Sequence, residues 1–216
     1  MKVQIVKITT IFTIMLIGCG QEKREEPVTL KATKSMNPKV QEELAVISTQ
    51  FGDMVVEFYK RAAPKHVESF KLHVKNGFYD GTIFHRVIPG FMIQGGDPNT
   101  KGEDVMSYGS GGHAAKFYGF GDESNMNSWK LPAEFNDIKH TRGILSMART
   151  NDKNSAGSQF FICDGNPSHL DAQYTVFGKV IEGLDIIEKI AGLPRDNRNN
   201  PLKRIDMKIE LKPKKQ

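Results

Sequence analysis

Apolar positions in residues 44–59 fall in two stretches on either side of Gln50-Phe51-Gly52-Asp53. In the second stretch Met54, Val56 and Phe58 alternate with Asp53, Val55 and Glu57. Successive strand side chains point to opposite faces, so a period of two predicts strands with one buried side, and Gly52 suits the turn of a hairpin. The period then changes. Val67, Phe70 and Val74 recur at three and four residues, behind Ala63-Pro64 and ahead of Gly77. Proline at the first helical position loses only an N–H that has no intrahelical partner, and glycine ends a helix readily, so the segment between them predicts an amphipathic helix.

Beyond the helix the chain reads mostly as short strands, at 82–88, 91–94, 144–148, 159–163 and 174–180, the last with Gly178 as a bulge. A second helix is expected over 183–191 with Ile186, Ile187 and Ile190 facing inward. Ile205, Met207, Ile209 and Leu211 then alternate with Asp206, Lys208 and Glu210, a closing strand. Many short strands with two helices predict a mainly β fold, a closed antiparallel barrel that leaves no sheet edge exposed, its ends capped by the helices. Residues 95–135 break the pattern. They are rich in Gly, Asn and Ser and include Gly109-Ser110-Gly111-Gly112. A phosphate-cradling loop would need a strand, a GxxxxGK run and a helix around it, which this segment lacks, so it reads as a long loop at the barrel rim.

The amino terminus follows neither period. Lys2 and Lys7 precede an apolar run, Ile8 to Ile17, of about ten residues, too short to cross roughly 30 Å of hydrocarbon as a helix. A positive region ahead of a short apolar one is the pattern of a secretory signal. The run ends Leu16-Ile17-Gly18-Cys19, which resembles the lipobox of bacterial lipoprotein precursors. That resemblance implies cleavage before Cys19 and diacylglycerol on its thiol, each chain contributing about 0.8 kcal/mol per buried methylene. Gly20, not Asp, follows the cysteine, so no inner-membrane retention signal is implied. Residues 21–39 carry Glu22, Lys23, Arg24, Glu25, Glu26, Pro27 and Pro38 and few large apolar side chains, as expected of a flexible spacer.

Composition narrows the function classes. With 216 residues, 38% of them apolar, the chain can bury one full core and still have chain to spare. The net charge of +5 owes much to the ends, Lys2, Lys7, Lys212, Lys214 and Lys215, and no basic stripe marks the body. Nucleic-acid binding is therefore not expected. Cys163 follows Gln159-Phe160-Phe161-Ile162 and reads as a small buried hydrophobe, not the disulfide partner of Cys19. His66, His73, His113, His140 and His169 have no metal-ligand spacing and are expected as surface or packing residues, so no metal or other cofactor is expected. His85 with Ser155 or Ser158 and Asp152 has no GxSxG-type context that would support a hydrolase.

The informative stretch is Phe84-His85-Arg86-Val87-Ile88-Pro89-Gly90-Phe91-Met92-Ile93-Gln94-Gly95-Gly96-Asp97. Three further blocks follow: Gly143-Ile144-Leu145-Ser146-Met147-Ala148-Arg149, Gly157-Ser158-Gln159-Phe160-Phe161-Ile162, and Leu170-Asp171-Ala172-Gln173-Tyr174-Thr175-Val176-Phe177-Gly178-Lys179-Val180. All four, in order and spacing, resemble the cyclophilin family of peptidyl-prolyl cis/trans isomerases, over about residues 44–211. The resemblance implies an eight-stranded antiparallel barrel with two capping helices. It divides the chain into a signal peptide with lipobox (1–18), a lipidated cysteine and tether (19–40), the isomerase domain (41–213, its long loop at about 102–131) and a basic tail (214–216).

Rotation about an X–Pro bond interrupts amide resonance against a barrier of about 18–20 kcal/mol and takes tens to hundreds of seconds unaided. No covalent bond changes, so a catalyst need only favour the twisted amide over both planar forms. In the twist the prolyl nitrogen regains a lone pair, for which a permanently charged guanidinium is a suitable donor. The resemblance gives this catalytic role to Arg86. It assigns Phe91, Met92, Phe161 and Leu170 to the proline pocket and Tyr174 to a position where relatives carry His, its hydroxyl at the pocket floor. Gln94 orients Arg86 and the substrate, Gln159 contacts the peptide, and Ala148 with the main chain of Arg149 holds the residue before proline. His169 stands where a rim Trp is frequent, which puts tight cyclosporin binding in doubt. Without the four blocks, Phe91, Met92 and Phe161 would read simply as core.

The expected function is isomerisation of X–Pro bonds in exported proteins, assisting their folding. The alternative is a non-catalytic proline-peptide binder or chaperone lipoprotein using the same groove, and a surface lipoprotein using the barrel only as a scaffold gains no specific support. Expected partners are proline-containing polypeptides and, through the lipid, a membrane, with the chain a monomer facing the periplasm or the cell exterior. Cys19→Ser is expected to release the chain into the soluble exported fraction or to block its processing. Fractionation that finds the variant retained on membranes as before rules out the lipid.

Overall fold

The structure is a computed structural model that describes residues 42–214. The segments expected as signal peptide and tether, with Cys19, and the last two residues of the basic tail lie outside the described residues. Among the described residues no helix is long and apolar enough to cross a membrane.

The first alternating stretches form a hairpin, β1 (Glu43–Thr49) and β2 (Gly52–Phe58), in register from Ala45↔Val56 to Thr49↔Gly52 around the two-residue turn at Gln50 and Phe51. Helix α1 (Pro64–Lys75) begins on its proline and buries Val67, Phe70 and Val74 as the spacing requires. Strands β3 (Arg86–Ile88), β4 (Met92–Gly95), β5 (Ile144–Met147), β6 (Phe160–Cys163) and β7 (Val176–Glu182) follow, then α2 (Leu184–Ala191) and β8 (Lys208–Pro213). Ile186, Ile187 and Ile190 of α2 face inward as expected.

All pairings are antiparallel, in one eight-stranded sheet ordered β3-β4-β6-β5-β7-β2-β1-β8. The sheet curls as a half-barrel with β3 and β8 as its edges. Residues 82–84 and 205–207, expected as strand, lie beyond those edges and meet through the single bridge Ile83↔Asp206. Hydrogen bonds from Phe84 N to Ile205 O (3.2 Å) and from Met207 N to Thr82 O (2.9 Å) flank the bridge. The register slips on β7, where Ser146 faces Val176 while Leu145 faces Gly178, so the extra residue is Phe177, beside the glycine expected to mark a bulge. Gly178 is required by close approach, because a Cβ there would lie 2.7 Å from Glu57 O.

The larger core cluster joins the sheet to both helices, with Phe70 of α1 at its aromatic hub. Its ring lies 5.1 Å from Tyr79, 5.5 Å from Phe160, 5.5 Å from Phe177 and 5.7 Å from Phe58, centroid to centroid. The histidines expected at surface or packing positions are mostly buried and bonded. His66 Nδ1 lies 2.7 Å from Glu134 Oε2, His73 Nε2 lies 2.8 Å from His113 O, and the His140 ring bridges Ser146 Oγ (3.1 Å) and Asp171 Oδ1 (3.2 Å). Ser146, His140 and Asp171 thus resemble a hydrolase triad, but Ser146 is wholly buried and donates to Thr175 O at 3.0 Å, so no substrate reaches it.

Phe70→Ala removes the shared partner of four rings and leaves a cavity. The expected cost is about 3–5 kcal/mol, read as a lowered urea midpoint with little change in slope. A shift of less than about 1 kcal/mol would show that the aromatic cluster is not the centre of the core.

Candidate active site

Strands β5, β6 and the start of β7 are buried along their whole length, and β4 at every position but Gln94, so their apolar side chains divide between two clusters. Ile93, Leu145, Phe160, Ile162 and Phe177 enter the main core. Their neighbours Met92, Ile144, Phe161, Cys163 and Val176 form a second apolar cluster with Leu170. Alternation across the pleat makes this division, and the register aligns the second face into rows. Arg86 is opposite Gln94, Gln94 opposite Phe161, and Phe161 opposite Ser146, so one row crosses four strands.

That face floors a cavity of about 350 Å³. Arg86, Phe91, Met92, Gln94, Ala148, Arg149, Phe161, Leu170 and Tyr174 all line it. Phe161 meets Tyr174 edge-on at 5.8 Å and stacks on the buried His140 ring at 6.0 Å. At the rim Phe91 stacks on His169 at 5.7 Å. Gln159 lines a smaller adjoining cavity of about 120 Å³, which shares Gln94, Gly109, Ala148 and Arg149 with the larger one. Cys163 lies beneath as a buried free thiol, its pKa pushed up to about 12 by burial, with the Asp171 charge adding to the effect.

Arg86 is half-buried, and burial depresses its pKa while the nearby Tyr174 raises it. A guanidinium stays charged at neutral pH regardless. Its Nη1 donates to Gln94 Oε1 at 3.3 Å, Gln94 Nε2 donates to Gln159 Oε1 at 2.9 Å, and Gln159 Nε2 donates to Gly111 O at 2.8 Å. Gln159 is therefore the second link of a relay that fixes the arginine from the long loop. Arg149 directs its side chain away from this line. Its Nη2 and Nε donate to Gln173 O at 2.8 and 3.1 Å, its Nη1 donates to Thr150 O at 2.7 Å, and the guanidinium carbon lies 4.4 Å from the Tyr174 ring centroid. The main-chain N–H and C=O of Arg149 have no hydrogen-bond partner among the described residues, which leaves them available to an extended peptide.

His85, Tyr108, Gly109, Arg198 and Asn200 also line the cavity; His85 and Gly109 fell in stretches the sequence singled out, though not as pocket residues, and no sequence pattern pointed to the other three. They come from loops whose meeting place is set by the sheet order. Residues 102–131 are tied down by two short 3-10 turns, Val105–Ser107 and Met126–Ser128, and by the bridge Leu131↔Ala156. The N–H groups of Gly109 and Gly111, candidates for cradling a phosphate, donate to the buried Asp97 carboxylate. A Cβ on Gly111 would lie 2.4 Å from Asp97 Oδ1, so only glycine allows this contact. His85 has no contact with Ser155 or Ser158, which bond to Asp152 O and Gly96 O, and a hydrolase role for it is excluded.

The site is an apolar slot on a mainly β fold, walled by a guanidinium held through the relay and bordered by free main-chain groups, a class of site shaped for an extended chain. Comparison with known proteins agrees. The family model described as cyclophilin type peptidyl-prolyl cis-trans isomerase matches residues 44–210. A peptidyl-prolyl cis-trans isomerase of Acinetobacter baylyi is 42% identical over 158 residues, which are 68% of this chain and 71% of that one. A probable peptidyl-prolyl cis-trans isomerase of Brucella abortus is 40% identical over 176 residues, 78% of this chain and 83% of that one. The crystal structure of a Cryptosporidium parvum cyclophilin type isomerase superposes with a TM-score of 0.68 at 30% identity, covering 81% of this chain and 99% of that one. The same protein in the presence of the dipeptide Ala-Pro gives 0.66 at 31% identity, covering 80% and 99%. The chain belongs to the cyclophilin-type peptidyl-prolyl cis-trans isomerases.

Burial lowers the pKa of both His73 and His85 to about 4, so both rings are neutral in the folded protein at pH 5. The unfolded chain binds those protons near pH 6.5, so stability falls as pH drops from about 6.5 toward 4, by on the order of 1 to 2 kcal/mol per histidine at pH 5. Ring titration followed by NMR is expected to give midpoints below 5 for both. A midpoint near 6.5 for either would show that its ring is solvated.

Proposed function

We propose that Arg86 is the catalytic group and that the cavity works by holding an X–Pro bond in its twisted form. The observation that carries this reading is the relay Arg86–Gln94–Gln159–Gly111, which aims a charged donor along the apolar wall of Phe91, Met92, Phe161 and Leu170. Proline enters that slot and buries its ring. The residue before it pairs with the N–H and C=O of Arg149, beside Ala148, and the Tyr174 ring completes the wall. As the amide twists, its nitrogen becomes pyramidal and basic, and the guanidinium donates to it. That bond is absent from both planar states, so it lowers the barrier without tightening the ground state. The site is partly dry, which strengthens a fixed charge relative to water. The Ala-Pro dipeptide present with the Cryptosporidium relative supports proline-containing chains as substrates.

In the same reading the Ile83–Asp206 bridge is the seam that closes the half-barrel. The enzyme is a monomer, exported and anchored through lipid on Cys19, and it acts on exported polypeptides as they fold. The lipobox-like end of the signal, Leu16-Ile17-Gly18-Cys19, supports this placement.

Arg86→Ala is expected to lower kcat/KM for a proline peptide by about 10²- to 10³-fold, the loss typical of one transition-state donor. Arg86→Lys should recover little of it, because a lysine cannot reproduce the planar fork held by Gln94. NMR exchange between the cis and trans peptide measures both variants. Equal exchange in wild type and Arg86→Ala would exclude the proposed mechanism.

A further inference from the structure

Among the described residues three guanidiniums border the cavity, Arg86, Arg149 and Arg198, and no carboxylate lines it. Arg86 is committed to the relay and Arg149 to the carbonyls of its own surroundings. Arg198 has no role in the mechanism above. It lies outside the wall that the two cavities share, so it borders the larger cavity only.

The loop that carries Arg198 is firmly built. The Asp196 carboxylate accepts the N–H groups of Arg198 and Asn200, both at 2.8 Å, and the Asn200 side-chain amide at 3.1 Å. Asn199 adopts a left-handed backbone with φ 66°, and its carbonyl accepts Val87 N–H from β3 at 2.9 Å. Arg195 and Pro201 pair across the base of the turn. The loop is thereby clasped to the strand that carries Arg86. From it the Arg198 guanidinium reaches the long loop, where Nη1 contacts Val105 O and Met106 Sδ, each at 3.1 Å. Both acceptors are neutral, and Arg198 forms no ion pair with any described residue. Asp196 offsets part of its charge from within the same loop but directs its oxygens to the loop's own N–H groups. Beside the guanidinium, Met106 is 76% exposed, an apolar surface next to an unpaired cation.

We propose that Arg198, with Met106 and Tyr108, forms a subsite for the residue following proline and favours an acidic side chain there. The inference rests on the isomerase reading above, which places the residue before proline on the Arg149 main chain. The chain then leaves the slot past Arg86 toward Arg198. A carboxylate on the next residue meets a guanidinium already positioned by neutral contacts, while its methylenes pack on Met106. An amine at the same place meets a like charge.

The test compares catalysed cis/trans exchange of two peptides, Ala-Ala-Pro-Glu-Ala and Ala-Ala-Pro-Lys-Ala, by NMR at low and at physiological ionic strength. Wild type is expected to favour the Glu peptide by about three- to fivefold in kcat/KM, the range of a solvent-accessible ion pair. The ratio should shrink as salt screens it. Arg198→Lys should keep the preference and Arg198→Glu should reverse it. A ratio within a single enzyme is insensitive to general damage to the loop, which would slow both peptides alike. Equal exchange of the two peptides by wild type, or the same ratio in wild type and Arg198→Glu, overturns the subsite and leaves the isomerase reading intact. If neither peptide exchanges faster than without protein, the isomerase reading fails and the subsite with it.

Discussion

The burial of β4, β5 and β6 on both faces is the constraint on which the site depends. One face of each strand is locked into the core around Phe70, and the other can be nowhere but in the floor of the cavity. A slip of one residue between β4 and β6 would send Phe160 outward and Phe161 inward, exchanging a core ring for a pocket ring. Stability and function therefore select the same register. The row Arg86, Gln94, Phe161, Ser146 is as rigid as the sheet that carries it.

Under this floor the polar groups are kept neutral or are internally paired. His85, at the edge of the cavity, is buried, and desolvation lowers its pKa to about 4 and keeps it uncharged beside Arg86. Tyr79 is wholly buried and donates to Ser158 O, and burial raises its pKa. No competing charge from these groups meets the guanidinium from below.

The rim is organised differently, by carboxylates that hold loops. Asp97 gathers the N–H groups of Asn99, Gly109 and Gly111 and anchors the start of the long insertion. Asp196 does the same for the turn that carries Arg198. In each case an acid is used up on backbone donors, which satisfies polar groups that no sheet could pair, and among the described residues that line the cavity no carboxylate faces the arginines. The long segment is thus a structured wall that contributes Tyr108 and Gly109 and, through Gly111 O, the last acceptor of the relay.

The sequence by itself determined the hairpin, both helices, the burial of Cys163 and most of the strands, because apolar periods of two and of 3.6 report local backbone geometry directly. The four family blocks also named nine of the residues that line the cavity, Arg86 among them. Only the tertiary structure decided that the segments leading into β3 and β8 touch through the single bridge Ile83↔Asp206, that Gln159 serves as a relay, and that His66, His73 and His140 are buried and bonded. It alone brought Tyr108, Arg198 and Asn200 to the slot. A period shows which side chains share a face, but not which face covers the core when both are apolar, nor which distant loops that face will meet. Those outcomes follow from the strand order β3-β4-β6-β5-β7-β2-β1-β8, which is fixed by packing between segments far apart in the chain.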